Sequence, residues 1–183
     1  METAAPQFTA FAGHRRIASG SLLDVACAVQ DAEAKGATAL LVFDDASGAV
    51  VDIDTRGDAD TIAARLTVPD LPRGRGRPRL GVTPREVTLL PRHWEWLGSQ
   101  PGGASVALRR LIEEARRNPA AEQRAARDAT YRFMAAIAGD LPGYEEALRV
   151  LFAGDDAAFA AHIADWPVDI RDHALELAKV AVR

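Results

Sequence analysis

The sequence predicts an α+β protein in three parts: a small N-terminal α/β unit, a central basic segment, and a C-terminal helical bundle. Three observations predict it. Residues 1–70 hold short apolar runs separated by turn residues, with one amphipathic helical stripe among them. Residues 71–118 carry ten arginines against four glutamates, a local charge of +6 that leaves −10 on the rest of a chain whose net charge is −4. Residues 119–183 place apolar side chains at helical spacing between proline and glycine breaks.

In the first part, 1–70, Gln7–Ala12 and Arg15–Ala18 read as strands joined at Gly13-His14. Ser21 followed by Asp24 is a near capping box for a helix. Its stripe is Leu22, Val25, Val29 and Ala32, and Lys35-Gly36 is its stop. Ala39–Phe43 has the composition of a buried strand. Asp45-Ala46-Ser47-Gly48 supplies a turn, and Ala49–Asp54 returns with Val51 and Ile53 on one face and Asp52 and Asp54 on the other. Asp58–Leu66 closes the unit as a short helix. Asp44, Asp45, Asp52 and Asp54 are the carboxylates that a hard cation wants. Their spacing is not that of a calcium loop, and a solvated hairpin accounts for them, so no metal is expected.

Residues 71–81 form an arginine/glycine arm with Arg73, Arg75, Arg77 and Arg79. Two prolines, three glycines and only two large apolar side chains leave it unable to bury enough surface to order itself. In 82–118, Val87-Thr88-Leu89-Leu90 reads as a strand, Arg92 to Ser99 as a two-turn helix, Pro101-Gly102-Gly103 as a break, and Ala104 to Arg117 as a second helix. Trp94 and Trp96, two positions apart, point about 200° from each other on a helix, so one small core cannot take both.

The last part, 119–183, reads as four helices. They start at Pro119, Pro142, Asp155 and Pro167, with Gly139 and Gly154 as stops. Phe133, Ile137, Leu148, Leu151, Phe152, Phe159, Ile163, Leu175 and Leu177 supply a bundle core. His162 and His173 stand alone on helices, and Asp169 precedes His173 by one turn. Without a third ligand at suitable spacing, packing or surface roles are expected of them.

Composition sets the outer bounds. Apolar content of 48% suits a soluble globular chain, and no run approaches the ~18 residues of a membrane span. METAAPQFTAF lacks the order of a secretory signal, and the single Cys27 rules out an internal disulfide, so a cytoplasmic protein is expected. No phosphate-cradling Gly-Lys-Ser/Thr loop, nucleophile elbow, His-Glu-x-x-His pair or cysteine pair is present. The expectation is therefore a protein that is not an enzyme and needs no cofactor.

Three resemblances add to this reading. Arg75-Gly76-Arg77-Pro78 is similar to the core of AT-hook peptides, which implies Arg75 and Arg77 in a narrow minor groove and Arg73 and Arg79 on phosphates. The order from Val87 to Ile112 resembles ribbon-helix-helix modules of the antitoxin/repressor type. In those, a strand pairs with that of a second chain and the ribbon enters the major groove. The resemblance implies DNA contacts from Arg85, Thr88 and Arg92, a phosphate at Gly103, Ala104 and Ser105, and dimerisation through Val87, Leu89, Trp94, Trp96, Leu108, Leu111 and Ile112. This chain departs from the module's pattern at Glu86 and Leu90, which make poor base readers. As a whole, GRGRPRLGVTPREVTLLPRHWEWL, PGGASVALRRLIEEARR and AGDLPGYEEALRVLFAGD resemble a bacterial family catalogued as domain of unknown function 2239.

The expected function is that of a transcription-regulator-like homodimer on DNA. The alternative is a protein-interaction module whose basic segment holds an acidic partner.

Overall fold

A computed structural model describes residues 7–66 and 85–179 and is α+β. Its described residues form a four-stranded antiparallel sheet and eight helices. The chain divides into two compact units, one of residues 1–67 and 123–183 and the other of 68–122.

In the larger unit the sheet order is β2-β1-β3-β4, from β1 (Phe8–Ala12), β2 (Arg15–Gly20), β3 (Leu40–Asp44) and β4 (Ala49–Val50). Alternation along the strands gives each face its own core. Ala10 and Val42 face α1 (Leu22–Ala34), where Val25 and Val29 bury themselves and Ile17, Val51 and Ile53 pack around them. Ser21 caps α1 by accepting the backbone N–H of Asp24 at 3.2 Å.

Phe11 and Phe43 point the other way. They meet Phe133 of α5 (Pro119–Ile137), with ring centroids 5.5 and 4.9 Å away. The same core takes in Ala147, Val150 and Leu151 of α6 (Tyr144–Ala153), Phe159 of α7 (Asp156–His162), and Ile170, Ala174 and Leu177 of α8 (Val168–Ala178). The sequence separates 1–70 from 119–183. The structure merges them, because the second face of the sheet is covered by the C-terminal helices.

Two further differences have local causes. The returning strand is only Ala49–Val50, because after Val51 donates to the Val42 carbonyl at 2.8 Å the chain leaves the ladder. Phe152, expected in the bundle core, is exposed and lies against Tyr131 at 5.7 Å, while Met134 and Trp166 are buried instead. The helix after the sheet, α2 (Ala59–Leu66), starts under Asp58, which accepts the Thr61 N–H at 2.9 Å.

The smaller unit is a helical hairpin in its described part. α3 (Pro91–Gly98) and α4 (Gly103–Arg116) are joined by a tight turn that Gly102 takes at φ +84°, a conformation costly for a side chain. No helix among the described residues is long and apolar enough to cross a membrane.

Candidate nucleic-acid interface

The basic segment is where residue chemistry and exposure coincide. Arg73, Arg75, Arg77 and Arg79 lie outside the described residues. Arg85–Leu90 is described, and it is neither helix nor strand. The strand expected at Val87–Leu90 is therefore absent from this chain's sheet, which consists of β1 to β4 among the described residues. Leu90 is extended, at φ −65° and ψ 149°, and leads directly into α3, where Pro91 occupies the first turn. Arg85 and Thr88 are exposed, Leu89 is half-buried, and Val87 is exposed rather than turned into a core.

In the hairpin, Leu97 and Ala107 are the two buried residues among those described. At about 100° per residue, Trp94 stands about 60° to one side of Leu97 and Trp96 about 100° to the other. Both rings flank the buried position, and both remain exposed, at 44% and 49%. On α4, Ala107, Leu108, Leu111 and Ile112 share one stripe at helical spacing, and Arg109, Arg110, Glu113 and Arg117 lie opposite. The 14-residue α4 outruns the 8-residue α3, so its C-terminal half extends past the shorter helix. Leu108, nearer the turn, is half-buried, whereas Leu111 and Ile112 are exposed.

The first turn of α4 has no side-chain cap. Gly103 and Ala104 are half-buried and Ser105 is exposed, so three of the expected phosphate-site residues stand together at the positive end of a helix. Arg92 is exposed on α3. Arg110 reaches Glu114 at 3.7 Å, an exposed pair of small energetic weight.

Three of the four clustered carboxylates, Asp44, Asp45 and Asp54, have partners within the larger unit. Asp54 sits between Arg56 at 2.8 Å and Arg65 at 3.4 Å, and its hydrogen bonds from Arg56 hold it below the usual carboxylate range. Asp44 accepts the Ala46 N–H and the Ser47 hydroxyl. Asp45 turns inward and accepts the Thr9 hydroxyl at 3.0 Å. Among the described residues no group of three or more His, Cys, Asp or Glu side chains is arranged to hold a metal ion.

A buried polar cluster escaped the sequence reading. His173 is 2% exposed, packs against Phe11 and Phe133, and faces both Asp45 and Glu176. The packing role expected of His173 fits this position. Asp45, 128 positions away in sequence, gave no signal that it would be the neighbour.

No curated protein and no solved structure matches the chain. One family profile does, over residues 7–178, under the description "Uncharacterized protein conserved in bacteria". The chain belongs to that bacterial family, DUF2239.

Proposed function

We propose that the protein binds DNA as a homodimer, with the segment from Arg73 to Arg117 as the contact surface. The observation that carries this reading is the open state of the hairpin. Two of its described residues are buried, while Val87, Leu90, Trp94, Trp96, Val106, Leu111 and Ile112 are exposed.

Helices of 8 and 14 residues are too short to persist alone in water. Ordering a residue's backbone costs about 1–2 kcal/mol, which one leucine and one alanine do not offset. A second copy laid on the same stripe supplies the missing burial, at roughly 1.5–3 kcal/mol for each large apolar side chain it covers completely. It also offers the unpaired Arg85–Leu90 segment an identical strand to pair with. In that arrangement Thr88, Arg85 and Arg92 approach base edges and phosphates. The uncapped α4 start takes a phosphate at Gly103, Ala104 and Ser105, and the arginine arm follows the neighbouring minor groove.

The test is fluorescence anisotropy on a labelled duplex, paired with sedimentation velocity. Wild type is expected to sediment as a dimer and to bind. The double substitution Leu111→Glu, Ile112→Glu is expected to give monomers with binding weakened at least about tenfold, the equivalent of about 1.4 kcal/mol. Monomeric wild type with no affinity for duplex at low salt ends this reading. An acidic protein that stays bound to the basic segment after nuclease treatment supports the interaction-module alternative.

A further inference from the structure

His173 closes an aromatic cluster at the contact between α8 and the sheet. Its ring centroid lies 5.5 Å from that of Phe11 and 4.7 Å from that of Phe133. Charged groups reach it from three elements. From the β3–β4 turn, Asp45 Oδ1 lies 3.5 Å from Nε2, with Asp44 beside it in the chain. From α8, Glu176 Oε2 lies 3.3 Å from Nδ1. From β2, Arg16 pairs with Glu176 at 3.1 Å and donates its backbone N–H to Asp169 of α8 at 2.8 Å. β1 and α5 contribute the Thr9 hydroxyl, on Asp45 Oδ2 at 3.0 Å, and the rings of Phe11 and Phe133, none of which titrates in the accessible range.

The carboxylate of Glu176 requires a donor, so Nδ1 carries the hydrogen in the neutral ring. Nε2 then bears a lone pair 3.5 Å from Asp45 Oδ1, which as a carboxylate oxygen also has only lone pairs. Both atoms are buried, and neither has a hydrogen-bond partner. Two acceptors facing each other at 3.5 Å repel, and leaving them unsatisfied costs the desolvation of each. One proton between them converts the contact into an O–H···N bond.

We propose that His173 and Asp45 form a single-proton site that latches α8 to the sheet, with the proton on Asp45 Oδ1 and the imidazole neutral. Burial acts in the same sense on both partners. It raises Asp45 and lowers His173, so the arrangement in which neither is charged is favoured.

The pH dependence follows from counting protons. The ordinary values are 3.8 for the carboxyl and 6.5 for the imidazole. Between them the detached groups hold one proton on the imidazole, and the latched pair also holds one, so docking is insensitive to pH. Above 6.5 the detached groups have released theirs while the latched pair has not. Docking is then lost as pH rises, until the pair deprotonates. Below 3.8 the detached groups hold two protons and the latched pair resists the second, so docking is lost again as pH falls.

The experiment is NMR on the full wild-type chain, reading the Asp45 carboxyl carbon and the His173 ring nitrogens, with amide-exchange protection of α8 in wild type and Asp45→Asn. The asparagine keeps an oxygen for Thr9 and offers an N–H to Nε2. Expected are a protonated Asp45 carboxyl at pH 7 and a His173 ring with hydrogen on Nδ1. Wild-type α8 protection is expected to fall by up to about tenfold per pH unit above 6.5 until the pair deprotonates, and to stay level in Asp45→Asn. An Asp45 carboxyl that is ionised at pH 7 overturns the proposal, as does a doubly protonated imidazole there. The wild-type spectra decide the question even if the variant fails to fold.

Discussion

Gly48→Ala tests the union of the sheet with the C-terminal helices at one atom. Gly48 holds φ +66° in the β3–β4 turn, and a Cβ there would stand 1.9 Å from the Ala129 carbonyl oxygen of α5. A Cβ essentially never lies that close to backbone, so the turn and the helix must separate. Separation strips the bond that Arg132 Nη1 donates to the Ser47 carbonyl at 2.9 Å, worth about 1 kcal/mol. The left-handed conformation costs alanine about 1–2 kcal/mol more. Phe43, which packs on Phe133 one turn further along α5, loses part of its contact as well. The bond and the backbone together come to about 2–3 kcal/mol before the lost ring contact is added, or roughly 4–12 °C in melting temperature for a chain of this size. Circular dichroism melts of wild type and variant measure it. Two separate domains would feel only the left-handed backbone, about 1–2 kcal/mol, so a loss no larger than that would refute the shared core.

Phe133→Ala removes the ring at the centre of the aromatic cluster and is expected to cost about 3–5 kcal/mol in denaturant unfolding. Asp155 caps α7 by accepting the Ala158 N–H at 3.0 Å, and Asp155→Ala should cost about 1 kcal/mol in the same assay. Trp94 and Trp96 are exposed in a single chain, so their emission should shift to shorter wavelength as concentration rises through the dimerisation range. Emission that stays constant over that range speaks against a second copy covering them.

Local chemistry carried most of the element order. Ser21, Asp58 and Asp155 each act as the cap that their residue types suggest, and Pro119 and Gly154 mark helix ends where expected. What sequence could not convey was which element covers which. Phe11 and Phe43 alternate with Ala10 and Val42, so the sheet evidently had two apolar faces, but nothing in the chain says that Phe133, about 90 positions later, fills one of them. The same gap hid the His173 and Asp45 pair, whose contact exists only once α8 docks on the β3–β4 turn. At the candidate interface the residue types were readable and the pairing was not. Val87–Leu90 has strand-like composition, yet a ladder needs a partner, and the four strands of the described sheet pair among themselves.

If the arginine-rich segment meets a duplex through its phosphates, duplex affinity measured across a series of salt concentrations will show it. Six or so phosphate contacts, at about −0.9 each, give log K against log salt a slope near −5. A slope near zero would mean that no phosphate is neutralised there.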